Sequence, residues 1–327
     1  MNKNRNVSII IPSIRPHLFI RAVRSVIRQK YKEGVLEIIG VIDKEKVDII
    51  ERFIHNTEKS LESKYKMILV PASERVGPSI ARNVGLKNAS YELVAFLDDD
   101  DIWLRNKLSV QLKILDRYGV DVIITKCINK LDSIFYFYPK CFTEAFKIID
   151  GKDIFLCSLG LTSTVLARKD AILGTGGFNP DLKRGEDVEL WIRITENGYR
   201  IGFLNIPTMV RYLHEENVTK SSLDSNYLKF FINESIRNLS YGARFKKELL
   251  ANNFYGIGKR LVYTDPVLSS KFLSLAFSLG SSNIRKKVIL LRLVSKASGN
   301  KNVLQELYDI MFKLTASSLW RNNLEQV

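Results

Sequence analysis

The sequence predicts an α/β protein, a mostly parallel β-sheet flanked by helices and followed by a helical, basic C-terminal region. Three observations predict it. Short β-branched runs alternate with amphipathic stretches over the first hundred or so residues, the pattern of strand–helix–strand units whose strands lie parallel. The runs end at Pro12, Asp43 and the acidic residues after Leu97, which puts polar residues at the carboxyl ends of strands, where such sheets hold ligands. Beyond Tyr241 strand signals fade and helical periodicity takes over.

Taken in order, VSIII from Val7 to Ile11 reads as a buried parallel strand closed by Pro12. Leu18 to Ile27 has apolar residues at helical spacing, and LEIIGVID from Leu36 gives a second strand ending at Asp43. The unit repeats with a helix from Glu45 to about His55, a strand near Met67 to Val70, a helix from Ser79 to Leu86 and a strand from Glu92 to Leu97. A helix from Leu108 to Tyr118 precedes the strand VDVIIT, the β-like segment IFYFY from Ile134 and a strand around Thr162 to Ala167. Gly176 and Gly177 mark a loop before a helix from Glu186 to about Asn197, where Asn197-Gly198 supplies the stop. The α/β module closes near Ser221, giving residues 1–221 and a helical region 222–327 with amphipathic stretches such as FKKELLANNF, SSKFLSLAFSL and RKKVILLRLV. No internal repeat or low-complexity segment is found.

The 327 residues are 46% hydrophobic and 26% charged, which excludes a disordered or fibrous chain. A net charge of +15 suits an anionic partner: nucleic acid, a phosphorylated substrate or an acidic membrane face. From Tyr241 onward there are 14 Lys or Arg against 5 Asp or Glu, so most of the surplus lies in the tail. Cys127, Cys141 and Cys157 are odd in number and lack metal-ligand spacing, which predicts neither a disulfide framework nor a zinc site. The opening MNKNRNVSIIIPS has only a short apolar run, and no stretch is long enough to span a bilayer. The expectation is a cytoplasmic protein, neither secreted nor membrane-spanning.

The outstanding local feature is Asp98-Asp99-Asp100-Asp101, directly after the apolar run VAFL. Consecutive carboxylates raise one another's pKa unless a cation neutralises them, and Mg²⁺ or Mn²⁺ prefers a few carboxylates together with phosphate oxygens. Asp98 to Asp100 therefore point to a metal and sugar-nucleotide site, while Asp101 is expected to cap a helix through Ile102-Trp103-Leu104. The second feature is Gly185-Glu186-Asp187 at a helix start behind the glycine-bearing loop GTGGFNPDLKRGED. Acids there complement the helix dipole, and a carboxylate held over a ligand could deprotonate a hydroxyl nucleophile.

Together these residues resemble the inverting, family-two glycosyltransferases of GT-A fold. The resemblance runs through VSIIIPS, EIIGVID, GPSIARNVGL, ELVAFLDDDDIWLRNKL, TSTVLARKDAI with GGFN and GEDVELWIRI, and RYLH, in the family's order over about the first two thirds of the chain. It implies that Pro12 and Ser13 line the nucleotide pocket and that Asp43, otherwise a strand-ending turn residue, hydrogen-bonds uracil. It places Arg82, otherwise a surface arginine, near the nucleotide. Asp98 to Asp100 match the Asp-x-Asp signature, with Asp99 near the ribose and Asp100 the direct metal ligand. Asp187 is the implied catalytic base, Glu186 orients the acceptor or supports that base, and His214 is either structural or near the diphosphate or metal. The family's Asp-Asp-Gly-Ser is here Ile42-Asp43-Lys44-Glu45, and its Tyr-Asn after Pro-Ser is Ile14-Arg15, which offers Arg15 to phosphate.

The implied reaction uses Mn²⁺ or Mg²⁺ to move a sugar from a UDP-sugar to a hydroxyl of a glycan or glycolipid acceptor, giving a β-glycoside. The acceptor expected is lipopolysaccharide core or a lipid-linked oligosaccharide, with the basic tail held peripherally on the inner membrane. A non-catalytic nucleotide- or carbohydrate-binding relative is the first alternative. Nucleic acid is not an expected partner: the high isoelectric point suggests it, but no helix-turn-helix, zinc-finger or aromatic RNA-platform pattern is found.

Overall fold

Strand β1 (Val7–Ser13) has apolar residues on both faces, with Val7, Ile9, Ile10 and Ile11 fully buried, as a central parallel strand requires. In the computed structural model of the protein, residues 5–58, 64–72, 76–131, 134–138, 142–157, 159–182 and 184–212 are described, with 251, 254–255, 258, 266–280, 284–286 and 288–289 further on. The chain divides into two compact units, Met1–Thr219 and Lys220–Val327.

In the first unit β1 lies between β2 (Leu36–Asp43) and β4 (Leu93–Phe96), with β3 (Tyr65–Ala72) outside β2, all parallel. The crossovers are α1 (Pro16–Ile27), α2 (Val47–Glu58) and α3 (Pro78–Asn88). Both α1 and α3 open on a proline, whose fixed φ and missing N–H suit a helix start. Helix α1 buries Phe19, Ala22, Val23 and Val26 against the sheet, and each large side chain so covered contributes about 1.5–3 kcal/mol.

The remaining strands are β5 (Asp101–Trp103), β6 (Val122–Leu131), β7 (Ile134–Tyr138), β8 (Phe146–Ile149), β9 (Val165–Arg168) and β10 (Ile201–Tyr212). They make the second half of one sheet ordered β3-β2-β1-β4-β9-β6-β10-β5, with β7 on β6 and β8 on β10. This half is mixed: β9 is antiparallel to β4 and β6, β10 is parallel to β6, and β5 and β8 are antiparallel to β10. Helices α4 (Lys107–Tyr118), α5 (Gly151–Cys157), α6 (Lys169–Leu173) and α7 (Glu186–Glu196) complete the unit. Because β9 runs against β4, its leading end lies beside the trailing end of β4, with Leu166 opposite Ala95. That reversal brings the turn before β9 to the acidic loop.

Three expectations are corrected. Asp101 does not cap a helix: it starts β5, Trp103 pairs with Met209 of β10, and α4 begins only at Lys107. The Trp103 indole donates to Ser163 O at 2.9 Å, so the segment is held as a strand by contacts distant in sequence. Thr162 to Thr164 form a 3₁₀ turn, and β9 starts at Val165. Cys127 is a buried free thiol, but Cys157 is disulfide-bonded, against the expectation of no disulfide; an odd cysteine count still allows one pair.

In the second unit α8 (Pro266–Leu279) packs Leu273 and Ala276 with Ala251, Ile284 and Val288. Val267 and Leu275 are exposed, as are Arg285 and Lys286, whereas the tail's Lys287 and Arg292 lie outside the described residues. Among the described residues no helix is long and apolar enough to cross a membrane.

Candidate active site

Strand β4 ends beside β1, where Leu97 N donates to Ile10 O at 3.0 Å, and the acidic loop leaves the sheet at this edge. Asp98 is held from two sides. Its Oδ1 accepts from Arg82 Nη2 at 2.6 Å and its Oδ2 from Thr162 Oγ1 at 3.3 Å, while its own N–H donates to Ser163 Oγ at 3.0 Å. Asp99 is buried and accepts from Ser13 Oγ at 2.6 Å and from both Nε and Nη2 of Arg15. Burial raises the Asp99 pKa, and the bonds from Arg15 and Ser13 only partly offset it. Asp100 also accepts from Arg15 Nη2, at 3.3 Å, and its carbonyl accepts from Arg21 Nη2 at 2.7 Å. The Arg21 guanidinium lies over the Tyr212 ring, 4.7 Å from its centre.

Buried Asp101 is pushed well above the ordinary carboxylate range, first by burial and then by the charges of Asp98 and Asp100. The third and fourth acids of the run therefore live in different surroundings.

The second acidic pair opens α7. Gly185 precedes it with φ 70°, a left-handed conformation that favours glycine and turns the chain into the helix. Glu186 Oε1 accepts from Arg82 Nη1 at 2.9 Å, and Asp187 Oδ1 accepts from Val188 N at 2.8 Å. Burial, followed by repulsion from Glu186, raises the Asp187 carboxyl to about 7. Arg82 is not the solvated surface arginine its helical position allowed. It is buried; burial works against its charge, but Asp98 and Glu186 outweigh that and raise its pKa. One guanidinium thus ties the acidic loop to the first turn of α7.

Pro12 and Ser13 end β1, and Asp43 ends the parallel neighbour β2, so both lie at the sheet edge that carries the acidic loop. Asp43 Oδ1 accepts from Glu45 N at 3.2 Å and starts a 3₁₀ turn over Lys44–Lys46. His214 lies outside the described residues. Sequence reading did not anticipate Thr162 and Ser163 around Asp98, Arg21 under Asp100, or the grip of Arg15 on Asp99 and Asp100. Thr162 and Ser163 lie about sixty residues beyond Asp98, a separation that no periodicity reports. Among the described residues no three His, Cys, Asp or Glu side chains converge as a metal cage.

Residues 8–160 match the family described as glycosyl transferase family 2. That match is a likeness over a little under half of the chain. The chain is 27% identical over 247 residues to an uncharacterized glycosyltransferase of Rickettsia bellii, an alignment covering 74% of this chain but only 34% of that protein. It is 28% identical over 228 residues to the Escherichia coli UDP-Glc:α-D-GlcNAc-diphosphoundecaprenol β-1,3-glucosyltransferase WfgD, covering 68% of this chain and 81% of WfgD. In structure it is similar to residues 1–349 of TarS from S. aureus, solved in complex with UDP-GlcNAc, with a TM-score of 0.60 at 18% identity over 93% of this chain and 91% of that one. The sheet with flanking helices is the GT-A fold anticipated from the sequence motifs.

Proposed function

We propose that the glycosyltransferase moves a sugar from a UDP-sugar to a hydroxyl of a membrane-displayed, lipid-linked glycan by a single displacement that inverts the anomeric centre and leaves a β-glycoside. The observation that carries this reading is Asp187, a carboxyl raised to about 7 on the first turn of α7 and joined through Glu186, Arg82 and Asp98 to the acidic loop. A base of that pKa is half-ionised near neutrality and matched to taking a proton from an attacking hydroxyl. Glu186, spent on Arg82, holds the base in place and keeps its pKa high. The UDP donor and the lipid-diphosphate acceptor are supported by the names of WfgD and of the TarS complex.

Pro12, Ser13 and Asp43 form the nucleotide end of the pocket, Ser13 acting through Asp99. Asp98 and Asp99 face the ribose and diphosphate side, and Arg15 is a second phosphate contact once its carboxylate partners turn to the donor. The donor set suits Mg²⁺ or Mn²⁺: hard carboxylate oxygens at a sheet edge, to which a donor's phosphate oxygens would add. Asp100 would hold the ion, with His214 beside it. The ion supplies positive charge against the charge developing on the UDP leaving group. The basic second unit would keep the enzyme on the inner-membrane surface from the cytoplasmic side.

The test is a panel of UDP-sugars with a synthetic lipid-diphosphate-linked sugar as acceptor, with and without divalent ion. Product with a β-linkage, formed only with ion present, is expected. An α-linked product would refute inversion, and full activity in EDTA would refute the metal assignment.

A further inference from the structure

We infer that Asn83 is a positioning residue for the transfer step, a strut from α3 that seats the loop leading into α7 and thereby the base Asp187. The inference rests on the assignment of Asp187 just proposed. Asn83 makes a paired bond to the backbone of Phe178: its Nδ2 donates to Phe178 O at 2.7 Å and its Oδ1 accepts from Phe178 N at 2.9 Å. This is the two-bond pattern one strand offers another, supplied here by a single side chain to a loop. One turn earlier on α3, Ser79 Oγ donates to Leu182 O at 3.3 Å in the same loop.

What Asn83 holds is a hub. The buried Phe178 ring stands edge-on to Phe96 of β4, centres 5.2 Å apart, and edge-on to Trp191 of α7 at 6.2 Å, with the Arg82 guanidinium 5.4 Å from its centre. It therefore touches the strand that carries the acidic loop, the helix that carries Asp187 and the arginine that ties the two. Trp191 lies one helical turn beyond Asp187, so a shift of Phe178 moves the face that presents the base. Gly177 makes the fit close: it has φ +74°, and a Cβ there would stand 2.7 Å from Asn83 Oδ1. The strut would set geometry through the loop, since both its polar groups are engaged with the backbone of Phe178.

The test compares wild type with Asn83→Ala, using UDP-glucose and UDP-N-acetylglucosamine as probe donors, and reads amide hydrogen exchange on the same proteins. Expected are a fall in kcat of at least tenfold, a donor KM within twofold of wild type, and exchange faster by about tenfold at Phe178 and in the first turn of α7, with β1 to β3 unchanged. Gly177→Ala, which presses on the strut from the loop side, is expected to give the same exchange pattern and serves if Asn83→Ala does not fold. Unchanged exchange in α7, or a loss that falls on donor KM with kcat intact, would overturn the proposal. A wild-type protein inactive on every UDP-sugar would overturn the transferase reading and with it the catalytic meaning of the strut. The exchange pattern would then still decide whether Asn83 seats α7.

Discussion

Asparagine at position 187 should stop the reaction and at the same time make the folded protein more stable at alkaline pH. In the folded state burial and the charge of Glu186 lift the Asp187 carboxyl from 3.8 to about 7. A carboxyl raised on folding is stabilising relative to its ionised form only while it keeps its proton. That contribution is complete below about pH 4, where the unfolded chain is also protonated, and is lost as pH climbs through about 7. At about 1.36 kcal/mol per pKa unit the loss amounts to at most about 4 kcal/mol. Even about 1 kcal/mol corresponds to about 2–4 °C in a unit of this size. Asp187→Asn keeps the shape and removes the titration, so its melting temperature minus that of wild type should grow steadily between pH 4 and pH 8. Thermal melts across that range, paired with pH–rate profiles, make the assay. Wild-type kcat should fall as pH drops below about 7, and the variant should lose about 10²–10⁴ in turnover at all pH values while still binding UDP. A melting difference that stays flat with pH, or wild-type activity with an acid limb near pH 4, would show that Asp187 titrates as an ordinary carboxylate and refute the assignment.

Three further outcomes are expected. Arg82→Met removes the shared partner of Asp98 and Glu186; breaking a buried pair typically costs about 3–5 kcal/mol, and since Asp98 is partly solvated the lower figure applies, a drop of about 6–12 °C in a melting experiment. The same change takes away an interaction that lowers the Asp187 pKa, so any residual activity should have its acid limb displaced to higher pH. Asp100→Ala should abolish transfer and the response to added Mn²⁺ or Mg²⁺ together, measured by metal titration of UDP-sugar turnover. Neutralising Arg285, Lys286, Lys287 and Arg292 should weaken sedimentation with anionic vesicles at low salt by about 1 kcal/mol per charge and leave soluble UDP binding unchanged; salt-insensitive, unaltered partitioning would rule out an electrostatic anchor.

The parallel half of the sheet was legible because β1, β2 and β4 bury both faces and so read as mainly apolar runs, interrupted by Ser8 in β1 and by Glu37 and the terminal Asp43 in β2. The acidic run and Gly185-Glu186-Asp187 stood out for a similar reason, being polar residues where strands and helices begin or end. Strand β10 was hidden by Gly202, Asn205 and Pro207, which break its alternation; the structure absorbs them with register shifts against β6 between Leu204 and Met209. Strand β5 was hidden because three residues carry no periodicity, and only Met209 and Ser163, far along the chain, make them a strand. Side-chain partnerships were not legible at all. Arg82 has the spacing of a surface residue on α3, and what buries it is a loop and a helix a hundred residues later.

Strand β10 also sets an order of assembly. It is the last of the described strands of its unit, yet it is the neighbour of β6, β8 and β5 at once. The β1-to-β4 half closes through local crossovers and can form as the chain emerges from the ribosome. The other half must wait until Tyr212 has been made, with β6 presenting an unpaired parallel edge in the meantime. A nascent or truncated chain ending before Ile201 thus has the β1-to-β4 half and an adhesive flank. Folding of the chain is therefore sensitive to how that edge is shielded during the last stretch of translation.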